Sequence, residues 1–262
     1  AFTDDQGVFV QAIDYSGTPS RTAILHSSDG FQDFEPQLSI TSRWGDREAS
    51  AALSYSLAEV GHGHLLFAEY ADQARLFHVD PVTESWTMLI EPAIDAVRHM
   101  HGVYYDEQYD TVYLMTGDDS SKSEPSILFA DDLRGPDGLF NNPTLWSSRW
   151  GLDDADRKGA DMQYVLTYDN PSTAQIEQEW TSQRFRVVAM LAHGDHIYFG
   201  EDTLRSRGLN VYRVHRTTHE VEKIGGPVTG QPWQWLETSR GDLLFVTTSV
   251  CLNGAVAGGS DL

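Results

Sequence analysis

Gly61-His62-Gly63-His64-Leu65-Leu66-Phe67-Ala68-Glu69-Tyr70 sets a glycine-bearing turn directly ahead of a short apolar and aromatic run. A run this short, with no helical period, reads as a buried strand entered from a hairpin turn. The arrangement recurs. Asp106-Glu107-Gln108-Tyr109-Asp110 precedes Thr111-Val112-Tyr113-Leu114-Met115-Thr116. His193-Gly194-Asp195 precedes His196-Ile197-Tyr198-Phe199-Gly200, and Ser239-Arg240-Gly241-Asp242 precedes Leu243-Leu244-Phe245-Val246-Thr247-Thr248. Val8-Phe9-Val10-Gln11-Ala12-Ile13 is a further run of the same kind.

Third and fourth strands follow. Ala74 to Val79 and Trp86 to Ile90 come after the Phe67 run, and Leu209 to Val214 and Glu220 to Ile224 come after the Phe199 run. Starts of the second strands lie 47 to 56 residues apart, except for one interval of 85. A repeat near 45 residues with four strands each is the signature of a β-propeller, because a lone four-stranded blade cannot bury both faces. The expectation is a single all-β domain over 1–262. It has four blades at roughly 6–40, 48–91, 98–146 and 183–226, and a partial fifth from Gln231. The fifth is completed by N-terminal strands or belongs to a larger propeller. The long interval is assigned to a polar, acidic loop insertion at 147–182, carrying Trp150, Tyr164, Tyr168 and Trp180.

The charge balance limits the function. Asp and Glu total 39 against 18 Lys and Arg, a net charge of −21. Only Lys122, Lys158 and Lys223 are lysines; the other fifteen basic residues are Arg. A carboxylate surface with few long amines suits concentrated salt, where charges are screened within about 3 Å at 1 M. This composition points to a halophilic archaeon or its virus. It disfavours nucleic acid, which needs a basic stripe. No apolar run approaches the roughly 18 residues of a membrane helix, so no membrane insertion is expected. Cys251 is the only cysteine, which excludes a disulfide within the chain. Asn142 and Asn170 are each followed by Pro, so neither sequon is an acceptor.

Ser27, Asp29 and Phe34 fall at the spacing of the motif Ser-x-Asp-x-Gly-x-Thr-Trp, with Gly30 displaced by one and Phe31 and Asp33 departing from it. Asp80 with Trp86, and Asp132, are weaker copies. In these turns the chain resembles the BNR, or Asp-box, family of sialidase-like β-propellers. Leu65 to Tyr70, Arg98 to Asp106, Thr116 to Asp118, Tyr198 to Thr203 and Val211 to Val214 are similar to a group of prokaryotic BNR-repeat proteins, over most of 48–250 outside the insertion. The resemblance implies a turn Asp that accepts backbone amides and an aromatic that plugs the blade. It implies fold more than activity.

A sialidase grips a carboxylate with three arginines, because guanidinium forks match it bidentately. Arg47, Arg98 and Arg184 each sit ahead of an expected innermost strand and are placed to ring one mouth. Arg186 is an alternative to Arg184. The family's Arg-Ile-Pro element is absent, and no Tyr–Glu pair stands out. The competing reading of the arginines is structural pairing with the abundant carboxylates. His62 with His64, and His99 with His101, are His-x-His pairs, and His193 and His196 form a near-cluster. Such pairs share one strand face and can chelate a metal, or bond to backbone in turns. The second role is the one expected, with no metal and no cofactor. Asp118 and Asp202 follow second strands, as acids, cation ligands or loop caps. Trp233 and Trp235 share a strand face, where they stack on a sugar or pack in the core.

These residues lead to a surface-exposed recognition module, extracellular or on a virion, that binds a carbohydrate or cell-surface glycan, alone or beside other virion or surface-layer proteins. No catalytic residue is identifiable. The alternative is a glycoside hydrolase or lyase of the sialidase-like class. A third reading is a structural propeller within an assembly.

Overall fold

The computed structural model describes residues 2–4, 7–14, 21–29, 32–41, 56–61, 63–70, 74–80, 83, 85–90, 99–117, 126–130, 148–151, 187–200, 209–218, 220–228, 232–247, 250–252 and 255–257. Every regular element among them is a strand. The first sheet holds β1 (Phe2–Asp4), β2 (Gly7–Asp14), β3 (Arg21–Ser27) and β4 (Glu35–Thr41). The second holds β5 (Leu57–Glu59), β6 (Leu65–Ala68), β7 (Leu76–Asp80) and β8 (Ser85–Ile90). The third holds β9 (His99–Asp106), β10 (Thr111–Gly117), β11 (Ser126–Ala130) and β12 (Ser148–Gly151). The fourth holds β13 (Met190–His193), β14 (His196–Gly200), β15 (Leu209–His215) and β16 (Val221–Val228). Each is a meander with its strands in chain order. Two antiparallel hairpins follow, β17 (Pro232–Glu237) with β18 (Leu243–Thr247), and β19 (Val250–Leu252) with β20 (Ala255–Ala257). The chain is an all-β propeller.

The second strands read from the sequence are β2, β6, β10, β14 and β18. Two boundaries differ from expectation. The first sheet starts at Phe2, where β1 pairs Phe2 with Phe9 and Asp4 with Gly7, so β1 to β4 form a sheet of their own. The fourth strand of the third sheet is Ser148–Gly151, inside the segment assigned to the insertion. It holds one large apolar residue, Trp150, and lies at the sheet edge, where backbone pairing is enough and no hydrophobic alternation marks it.

The chain divides into two compact units, Ala1–Ser123 with Ile127–Arg149, and Glu124–Ser126 with Trp150–Leu262. In the first, β6 is buried on both faces. Leu65 and Phe67 join Phe9, Ile24, Leu38, Phe77 and Val79 in a core shared with the first sheet. Leu66 and Ala68 join Leu76, Met100, Val103, Val112 and Leu114 in a core shared with the third. Strand alternation sends odd and even residues to opposite sides, so one strand seals two interfaces. That is why the run reads as continuously apolar instead of alternating. In the second unit, Met190, Ile197, Phe199, Val211, Tyr212 and Val214 are buried, with Phe199 stacked on Tyr212 at 5.5 Å.

In the second, third and fourth sheets the turns between first and second strands use left-handed backbone. Gly194 takes φ +57° in the two-residue loop between β13 and β14, a conformation that costs glycine little. In the third sheet Asp110 takes φ 51° instead. Its carboxylate accepts a 2.7 Å bond from the Tyr105 hydroxyl, which holds the turn without a glycine.

Candidate functional site

In the first unit, the ends of β6 and β10 and the start of β9 carry the buried polar residues Glu69, Thr116 and His101. Glu69 follows β6 and is 0% exposed. Arg75 enters β7 and grips it with both arms of the fork, Nε to Oε2 at 2.6 Å and Nη2 to Oε1 at 2.8 Å. The chain between them is also tied by Glu69 N donating to Arg75 O at 2.9 Å. The guanidinium carbon lies 5.1 Å from the centre of the Phe77 ring, which fixes the cation against an aromatic face. Ala68 N donates to Ser56 O at 2.8 Å, which closes the end of the first strand onto the second.

Tyr70, next in the chain, meets His101 of β9 with ring centres 5.8 Å apart. This contact joins the second sheet to the third. His101 and Thr116 are buried, and Gly117 pairs with His99 across a ladder that shifts register between Met115 and Thr116. The local arrangement is a wall with a locked carboxylate–guanidinium pair and an imidazole–phenol contact. Glu69 is held by Arg75, and His101 lies against Tyr70, so the polar side chains here are fixed by their neighbours.

The predicted residues divide as follows. His101 lies in this wall. His99 is the first residue of β9. Arg98, Asp118, Arg47, Arg184, Arg186, Asp202 and His62 lie outside the described residues. The first described strand after Arg47 begins at Leu57 and the one after Arg184 begins at Met190, whereas β9 begins directly after Arg98. Trp233 lies on β17. Trp235 is 6% exposed, with its ring centre 6.1 Å from that of Tyr198. It therefore packs between β17 and the fourth sheet and presents no open face on which a sugar ring could stack.

Three turns between third and fourth strands are capped by side chains. Asp29 Oδ1 accepts from Ser27 Oγ at 2.6 Å and from the amides of Gln32 and Asp33, both at 3.1 Å. The Ser27 hydroxyl, then the Asp33 amide, hold its carboxyl below the usual carboxylate value. Asp80 accepts from Thr83 N and Thr83 Oγ1. In the fourth sheet His215 takes that place: its Nδ1 faces Thr217 N and Thr218 N, each at 3.3 Å. An amide-accepting Nδ1 puts the ring proton on Nε2. Sequence reading missed this third cap because the expected residue was Asp.

Histidines also pair across strands. His64 Nδ1 and His78 Nε2 are 3.0 Å apart. Burial first, then the neighbouring His64, push His78 down to about 4, against the pull of Asp80. In the fourth sheet His196 and His215 meet edge to face at 5.2 Å. His193 Nδ1 lies 3.3 Å from Glu237 Oε1, and Arg213 pairs with Glu222 at 2.6 Å. Sequence reading grouped the histidines by neighbours along the chain. The partner of His64 is on the next strand, a relation visible only once the β6–β7 ladder is known.

No family model matches the chain. Among solved structures it is similar to a 6-phosphogluconolactonase-like protein from Bacteroides uniformis, with 14% identity and a TM-score of 0.50, covering 93% of this chain and 62% of that one. It is also similar to the GH74 xyloglucanase from Xanthomonas campestris, with 13% identity and a TM-score of 0.52, covering 88% of this chain and 31% of that one. At such identity the likeness establishes the propeller fold and no activity. The chain spans less than two thirds of the length of either protein.

Proposed function

We propose that this propeller is a surface-exposed recognition module of the Asp-box, sialidase-like kind, and that it binds acidic glycans at the sheet ends around Tyr70 and His101. The observation that carries the reading is Tyr70, half-buried at this sheet end against the buried His101, with the adjoining Glu69 locked by Arg75. Arg98 precedes His99 at that end and Asp118 follows Gly117, so the arginine expected to meet an anionic sugar adjoins this wall in sequence. The amide-accepting turn at Asp29 supports the Asp-box kinship. The acidic, lysine-poor composition supports presentation in concentrated salt, on a cell or virion surface of a halophilic archaeon or its virus.

Binding of uronate, sulfated and neutral oligosaccharides by calorimetry in molar KCl tests the reading. An acidic saccharide should bind, and Arg98→Ala should weaken it. A charge-assisted fork contributes about 1.5–3 kcal/mol, or roughly ten- to a hundredfold in affinity. Fluorogenic glycosides run in parallel separate a binder from a hydrolase. Failure of every saccharide to bind would overturn the proposal and leave the propeller a structural element.

A further inference from the structure

We propose that His64 and His78 form a two-imidazole site for a divalent transition-metal ion such as zinc, nickel or copper, at the turn end of the second sheet. The two nitrogens, His64 Nδ1 and His78 Nε2, already stand 3.0 Å apart. Two imidazole ligands on a tetrahedral zinc, at about 2.0–2.1 Å each, stand about 3.3 Å apart. The separation is within a few tenths of an ångström of that in a metal-bound pair, and turning the rings so that both lone pairs meet at the ion exchanges the shared proton for it. The strand ladder fixes the approach: Leu66 pairs with His78, and His64 lies two residues before Leu66 on the same side of the strand. The rings lie 24° from parallel, with centres 5.1 Å apart.

Two surrounding features favour the ion. Asp80, at the end of β7, acts electrostatically on His78, and Thr83 fixes its carboxylate through both oxygens. It is an oriented anion in the outer environment of the site. Both histidines are only half-buried, which lets solvent complete the coordination. Among the described residues no three His, Cys, Asp or Glu converge, so the protein supplies these two donors and water the rest. The His196–His215 pair is unsuited to the role. Its rings are 80° apart and His215 Nδ1 faces turn amides.

The test is titration of the full chain, freed of metal with a chelator, with zinc or nickel chloride at neutral pH. Calorimetry and thermal melts give the readout. About one ion per chain should bind, raising Tm in a way that the chelator reverses. His78→Gln and His64→Gln should each weaken binding by about tenfold or more, and His196→Gln should leave it unchanged. His64→Gln, at a position before β6 and outside the strands, carries the test if His78→Gln unfolds the sheet. Absence of binding by the unaltered chain overturns the proposal. So does binding that survives His64→Gln or is lost equally in His196→Gln.

Discussion

Glu69 and Arg75 form a two-bond ion pair across the turn from β6 to β7, with the carboxylate fully enclosed and the guanidinium lying against Phe77. Arg75→Ala leaves that carboxylate buried without its cation, and should destabilise the fold by about 3–5 kcal/mol. The double change Glu69→Gln with Arg75→Met removes both charges and should recover much of the loss. Urea unfolding of the three proteins checks this. An Arg75→Ala protein as stable as the parent would show that the pair is solvated.

The stability of the second sheet should depend on His78. Its folded value lies near 4, below the ordinary 6.5, so acid protonates the unfolded chain before the folded one. The contribution is complete above pH 6.5 and drains away as pH falls toward 4. Carboxylates also titrate at the lower end of that window. The difference between the parent and His78→Gln isolates the histidine, and the variant should give the flatter curve. Parallel curves would mean that His78 is as accessible to protons folded as unfolded.

The segment after the third sheet can be bounded by deletion. With β12 at Ser148–Gly151, replacing 152–182 by a short Gly/Ser linker should leave a folded β protein, since closing a loop depends weakly on its length. Replacing 147–182 removes an edge strand and should lower Tm. Equal melting of the two deletions would make β12 dispensable.

Molar KCl should raise Tm relative to low salt. The net charge of −21 creates self-repulsion that salt screens, and few lysines are present to offset it. A midpoint that KCl leaves unchanged or lowers would remove the basis for a halophilic origin.

The second strands were legible in the sequence because burial on two faces leaves an unbroken apolar run, as in Leu65-Leu66-Phe67-Ala68. Edge strands were harder to read. Phe2–Asp4 and Ser148–Gly151 are held by pairing along one side, and such pairing imposes little on side chains. The polar wall was half legible. His101 was recognised as a strand residue of interest, but Glu69 and Arg75 read as an ordinary strand end and strand start. Their pairing depends on β6 and β7 lying antiparallel side by side. The partner of His64 was hidden for the same reason, since β-ladders join residues by register and not by proximity along the chain.

Strand β6 is a party wall. Four consecutive residues serve two tenants, with Leu65 and Phe67 furnishing one room and Leu66 and Ala68 the other. The two sets differ in bulk, because Phe67 has Ala68 as its counterpart on the far side. Inserting or deleting one residue would send the large ring where the small methyl belongs and leave a hollow in its place. The four side chains therefore spell out which neighbour stands on which side. The order of the first three sheets is written at one-residue resolution into a segment too short to be redundant.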